Sequence, residues 1–198
     1  MTSRHLLRMI LLASLCGLEP AAWAAAQPVP RTGFWQQGNR LDVQGSIVIP
    51  MPVCEAYAML TDYERLPRFI PGMEEDRAER MPDGTVRIYQ RGKIQVMAFT
   101  VQVATVLEMQ ETPNRRITFR QLEGDLQAYS GEWRFTEVPD GTEVSYEAHM
   151  AFKLWVPMQF ARTALEREVR DKFIAIGKEA ALRQSQTRLA CGAAPPLG

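Results

Sequence analysis

The 198 residues carry 23 basic and 23 acidic side chains. A formally neutral chain argues against nucleic acid or an anionic membrane as a standing partner, because both select a basic excess. With 46% hydrophobic residues and no internal repeat, the composition is that of an ordinary globular domain.

Arg4, His5 and Arg8 make a basic start, and Met9 to Leu15 follow as a short apolar run. Ala22-Trp23-Ala24 or Ala24-Ala25-Ala26 then supplies small residues at the spacing of a signal-peptidase site. This is the layout of a cleaved secretory signal over residues 1–26, with an apolar run short for a bilayer span. Leu15 before Cys16 argues against a lipoprotein. The expected location is therefore periplasmic or secreted. Cleavage leaves about 170 residues, enough for one domain with a sizeable core. Residues 27–40 and 190–198 are rich in Gly, Pro, Ala and polar side chains and read as loose flanks around a domain over 41–189. The mature chain keeps one histidine, His149, and two cysteines, Cys54 and Cys191. That inventory makes neither a zinc site nor a CxxC redox pair, and neither metal nor cofactor is expected.

Leu41 to Ile49 alternates and reads as a strand, ended by Pro50 and Pro52. Two short helical pieces follow, Val53–Leu60 and Tyr63–Ile70, the second stopped by Pro71-Gly72. Six strand-like segments come next: 74–81, 85–96, 98–109, 115–122, 127–138 and 142–152. Pro82-Asp83-Gly84, Thr112-Pro113-Asn114, Gly124-Asp125 and Pro139-Asp140-Gly141 separate them. Connectors this short force antiparallel meandering. From Met158 to Leu189, Met158, Ala161, Leu165, Val169, Phe173, Ile176 and Ala180 draw one apolar stripe along a long helix. Glu166–Arg170 and Glu168–Lys172 read as ion pairs on its solvated side. An antiparallel sheet with one buried face, covered by the terminal helix, is an α+β arrangement.

Parity sorts the sheet faces. A two- or four-residue loop at Asp140-Gly141 keeps the apolar residues together, setting Phe135 by Tyr146 and Trp133 by Ala148. The inner face then holds Tyr129, Gly131, Trp133, Phe135, Val144, Tyr146, Met150 and Phe152. Val86, Ile88, Gln90, Phe99, Val101, Val103, Ile117, Phe119 and Gln121 join it from neighbouring strands. Arg116, Arg120, Glu132, Arg134, Glu147 and His149 fall outside, with Arg134 opposing Glu147 and Glu132 opposing His149.

The stretch Thr61-Asp62-Tyr63-Glu64-Arg65-Leu66-Pro67-Arg68-Phe69-Ile70-Pro71-Gly72 resembles the "L-x-D-Y-x-x-x-P-x-F-x-P" segment of the START-like (SRPBCC) superfamily. Within it, the similarity is to the polyketide cyclase/dehydrase and coenzyme Q-binding branch. Glu123-Gly124-Asp125, Gly131-x-Trp133 and Gly141-Thr142-x-Val144-x-Tyr146 fit the same family, and the likeness covers about residues 41 to 182. It implies a helix-grip fold: a curved seven-stranded antiparallel sheet around a long C-terminal helix, with two short helices after the first strand. It also implies an elongated cavity of the kind relatives use for lipids, quinones or polyketides.

On that arrangement Phe99, Phe119, Tyr129, Trp133, Phe135, Tyr146, Met150, Leu165, Val169 and Phe173 would wall the cavity, with Gln90, Gln121, Tyr129 and Tyr146 as hydrogen-bonding groups. The bland alternative is that these side chains only fill a core. Asp62 reads as a helix cap. The expected function is binding or carriage of a hydrophobic small molecule without turnover, with transient membrane contact admitted. The alternatives are a cyclase or dehydratase-like enzyme and an interaction module with a filled core. An enzyme would want an inward acid or base, and His149, the weak candidate, points outward by parity. In the implied fold the helix end approaches Cys54, so Cys54 and Cys191 are expected as a disulfide in an oxidising compartment.

Overall fold

The computed structural model describes residues 29–96, 98–152 and 158–186. Its elements are β1 (Arg31–Gln37), β2 (Arg40–Ile49), α1 (Val53–Thr61), a 3-10 helix (Tyr63–Arg68), β3 (Met73–Arg80), β4 (Val86–Val96), β5 (Phe99–Thr112), β6 (Arg116–Gly124), β7 (Ala128–Val138), β8 (Gly141–Ala151) and α2 (Met158–Gln186). The expected signal segment, the tail from 190 onward and Cys191 lie outside the described residues. Cys54 is disulfide-bonded.

All strands join one antiparallel sheet in the order β1-β2-β8-β7-β6-β5-β4-β3. Seven of them are those read from the alternation. The eighth, β1, arises within the segment expected to be loose. Gly38, at φ 61, sits in the two-residue turn between the partners Gln37 and Arg40, and the turn folds Arg31–Gln37 back onto β2. Gly tolerates this left-handed backbone without a Cβ penalty.

Parity around the β7–β8 turn is as expected, but the register differs by two residues. Val138 pairs with Gly141, leaving Pro139-Asp140 as a two-residue loop. Trp133 therefore faces Tyr146 and Phe135 faces Val144, while Arg134 opposes Ser145, not Glu147. Glu132 opposes Glu147 instead of His149. That like-charge apposition is relieved by Arg134 and by Arg116 at 3.9 Å from Glu132. His149 turns to β2, where its Nδ1 lies 2.7 Å from Asp42 Oδ1. A slip of two keeps every side chain on its face, so hydrophobic patterning alone does not choose between the loops.

α2 lies against the inner face. Val169, Phe173, Ile176 and Ala180 are almost fully buried, and Ala161 and Leu165 nearly so, as the stripe requires. Phe173 sits where a Cβ on Gly45 would stand, 2.2 Å from its Cε2, so the glycine in β2 makes the notch that seats the helix. Full burial of a Phe or Ile side chain stabilises by roughly 1.5–3 kcal/mol, which anchors the C-terminal half of α2 firmly.

Two local expectations are corrected. Asp62 stands before the 3-10 helix but makes no side-chain cap bond; it pairs with Arg65 at 3.3 Å. Glu166 pairs with Arg162 at 2.6 Å, one turn before it, while Arg170 lies 3.8 Å from Asp171. Among the described residues, no helix is long and apolar enough to cross a membrane.

Candidate ligand-binding site

A crevice of about 100 Å³ runs between the sheet and the N-terminal half of α2. Its apolar lining comes from Ile70 before β3 and Met73 at its start, Ile94 and Val103 on the β4–β5 hairpin, Leu126, Met150 on β8, and Leu165 and Val169 on α2. Alternation on the strands and the four-residue step on the helix bring these side chains to one interior. Behind them stands a run of aromatic rings. Phe119 contacts Tyr129 at 4.9 Å and stacks on Tyr146 at 6.0 Å, and Trp133 meets Tyr146 at 4.6 Å and Phe173 at 5.9 Å.

One end of the crevice is polar. Gln90, Tyr129, Tyr146, Glu168 and Lys172 line it. The hydroxyls of Tyr129 and Tyr146 share a 2.8 Å hydrogen bond. Lys172 Nζ lies 3.7 Å from Glu168 Oε1 and 5.5 Å above the Tyr146 ring. Asp76 faces Gln90 across the β3–β4 pair and is hydrogen-bonded to it, with only 6% of its surface exposed. Burial raises its pKa from 3.8 to about 7, against the opposing pull of the Gln90 bond and the Lys172 charge. Burial likewise pushes both tyrosine hydroxyls above their ordinary range. Asp76 Oδ1 and Glu168 Oε2 are buried without a hydrogen-bond partner among the described residues.

The sequence-expected site residues divide into three groups. Gln90, Tyr129, Tyr146, Met150, Leu165 and Val169 line the crevice. Phe119, Trp133, Phe135 and Phe173 pack behind it, Phe135 edge-on to Tyr57 at 5.5 Å. Gln121 has both ends of its amide engaged: Nε2 donates to Leu126 O at 2.9 Å, and Oε1 accepts from Thr105 Oγ1 at 3.2 Å. Phe99 alone stands apart. At the tip of the β4–β5 hairpin its parity is inward, but it is 73% exposed. His149 is on the outer face, half-exposed between Asp42 and Glu147, away from the crevice.

Asp76, Glu168 and Lys172 were not legible as site residues, although signals for each exist. The turn at Pro82-Asp83-Gly84 pairs Arg80 with Val86, and the same parity carries Asp76 to Gln90. Glu168 lies three residues after Leu165, and Lys172 three after Val169, so both flank the apolar stripe. They form the expected pair, but Lys172 is largely buried at the crevice and not on a solvated side.

A second concavity, about 530 Å³, lies on the outer face of β1, β2, β8 and β7. Arg31, Trp35, Gln44, Glu132, Arg134, Glu143 and Glu147 border it. Tyr63 is structural: its hydroxyl donates to Glu111 Oε1 at 2.7 Å, and Tyr57 and Arg80 hold the same carboxylate at 3.3 and 3.5 Å. Among the described residues, no group of three or more His, Cys, Asp or Glu side chains is arranged to hold a metal ion.

Comparison with known proteins agrees with this architecture. The fold is that of the Zhui aromatase/cyclase from Streptomyces sp. R1128, at 17% identity and TM-score 0.62 over 78% of this chain and 99% of that one. It is equally that of a START superfamily protein from Mycobacterium smegmatis, at 15% identity and TM-score 0.62 over 72% and 98% of the two chains. A STAR-related lipid transfer protein from Xanthomonas axonopodis matches at 12% identity and TM-score 0.62 over 77% and 93%. No curated protein matches the sequence. The family model described as "Polyketide cyclase / dehydrase and lipid transport" matches residues 49–176, from the end of β2 to the buried half of α2, and the chain belongs to that family.

Proposed function

We propose that this protein is exported and binds a largely apolar small molecule in the crevice between the sheet and α2, as a carrier that releases it unchanged. The observation that carries the reading is the crevice itself: an apolar lining from four strands and a helix, with a few polar groups converging on it. The family's description and the lipid-transfer and aromatase/cyclase proteins that share the fold support a ligand of lipid or polyketide character. The basic, apolar and small-residue layout of residues 1–26 supports export, and a disulfide at Cys54 suits an oxidising compartment. At about 100 Å³ the crevice is smaller than the roughly 300–1,000 Å³ of most ligand sites. A ligand of that size therefore enters only as the N-terminal half of α2 lifts from the sheet.

A second reading, an acid–base enzyme of the cyclase or dehydratase kind, is favoured by one observation. A buried carboxyl with pKa near 7 faces the same interior as Lys172 and two tyrosines. Native mass spectrometry of the protein recovered from its own export compartment, with bound molecules extracted and identified, tests both. A co-purifying lipid, quinone or polyketide that is lost in Val169→Trp, which fills the crevice, establishes the binding reading. Conversion of that molecule on incubation replaces the carrier with the enzyme. An empty protein that also ignores a panel of such compounds leaves a packed interaction module.

A further inference from the structure

Resting on the binding reading, we infer that the polar end of the crevice selects a ligand whose head group donates a hydrogen bond, an alcohol, phenol or enol, and rejects a carboxylate head. Two observations carry this. First, among the described residues, the buried side-chain atoms without a hydrogen-bond partner are both carboxyl oxygens: Asp76 Oδ1 and Glu168 Oε2. Asp76 belongs to a side chain more than nine-tenths buried, beside Gln90, which itself lines the crevice. A buried acceptor without a partner is costly, and a ligand hydroxyl relieves that cost by donating to it. Second, the ammonium beside these oxygens already faces a carboxylate, and the tyrosine pair spends one of its two O–H groups internally. Lys172 leans on Glu168 at 3.7 Å and on the Tyr146 ring, and the two tyrosine hydroxyls bond to each other at 2.8 Å.

The charge balance agrees. Two carboxyl groups, one from β3 and one from α2, stand against the ammonium of Lys172, while Lys93, the other ammonium lining the crevice, is paired with Glu74 at 3.1 Å. A carboxylate head would bring further negative charge beside two carboxyl groups. A hydroxyl donates to one of those carboxyls and accepts from the ammonium or from a tyrosine. The apolar lining then takes the hydrocarbon part.

The test is displacement of the neutral fluorescent probe N-phenylnaphthylamine from the full chain stripped of lipid, using decanol, decanoate and methyl decanoate. The expected result is a dissociation constant for decanol about tenfold or more below those of the other two, the scale of one hydrogen bond to a charged group. In the double variant Asp76→Asn with Glu168→Gln, whose folding is checked by thermal melting, the order should reverse toward decanoate. Decanoate binding as tightly as decanol overturns the inference and leaves the binding reading intact. A decanol preference unchanged in the double variant also overturns it, by placing the selection elsewhere. If none of the three displaces the probe, the binding reading itself falls.

Discussion

Asp76 is the residue at which this fold gives up stability for a polar interior. Its carboxyl titrates near pH 7 in the folded protein and at its ordinary 3.8 when exposed, because burial penalises the charge. Between those values the native state holds a proton that the unfolded chain has released. Lowering the pH through that window therefore stabilises the fold, and raising it to about 7 and beyond removes roughly 4 kcal/mol. Asp76→Asn should abolish this dependence. Urea unfolding of the variant should match the wild type near pH 4 and exceed it by a few kcal/mol near pH 8. Equal midpoints at both pH values would place Asp76 in water. The residue escaped sequence reading because Met73-Glu74-Glu75-Asp76-Arg77 reads as a charged, solvated strand. Only its pairing with Gln90 shows that one of those charges points inward. His149 shows the opposite case. Its outward direction followed from parity, but its partner, Asp42, lies on a strand 107 residues away in sequence.

At the scale of elements, the grip of α2 depends on a missing side chain. Gly45→Ala places a methyl group 2.2 Å from Phe173 Cε2, in the most buried part of the core. Overpacking of this kind costs about 1–3 kcal/mol. Thermal or urea unfolding should show that loss. Combining it with Phe173→Leu should cost less than the sum of the two single changes, a coupling a double-mutant cycle reads directly. Simple additivity would mean that the helix is seated elsewhere. The 3-10 helix is held by a hydroxyl instead: Tyr63 and Tyr57 share Glu111 of β5 with Arg80 of β3. Tyr63→Phe should cost about 1–2 kcal/mol in unfolding free energy, since Glu111 keeps its other two partners. The Asp-Tyr stretch read as a family mark thus works through its tyrosine, by docking, while the aspartate caps nothing.

At the scale of the whole molecule, the crevice is small because α2 is pressed on the sheet along its length, and the two halves of the helix differ in how firmly. Phe173, Ile176 and Ala180 are fully buried, whereas the preceding turns, with Leu165, Glu168 and Val169, border the crevice. Hydrogen exchange should therefore be faster in residues 158–168 than in 173–180, and a bound ligand should slow the former. Equal protection in both halves would remove the opening that a lipid-sized ligand needs. The disulfide is checked at the same scale. Intact mass after alkylation should show no free thiol on Cys54 until reductant is added. Pairing with Cys191 would appear as one cross-linked peptide after digestion.

Local chemistry made most of the architecture legible. Turn residues at Pro82-Asp83-Gly84 and Pro139-Asp140-Gly141, two-residue alternation between them, and the stripe from Ala161 to Ala180 set seven of the eight strands, their antiparallel meander and the cover helix. Each is a short-range signal that survives in a string of letters. The sequence by itself thus determined the elements other than β1, the faces and the family. Tertiary structure alone decided three things. It chose the two-residue loop at Asp140, since both loops preserve the faces and only packing of Trp133 on Tyr146 and Phe173 distinguishes them. It built β1 onto β2 through Gly38. It also gathered Gln90, Glu168, Lys172 and the tyrosine pair from four elements at the crevice, with Asp76 of β3 bonded to Gln90. A buried charge is recognised by what surrounds it, and those surroundings come from residues far apart in the chain.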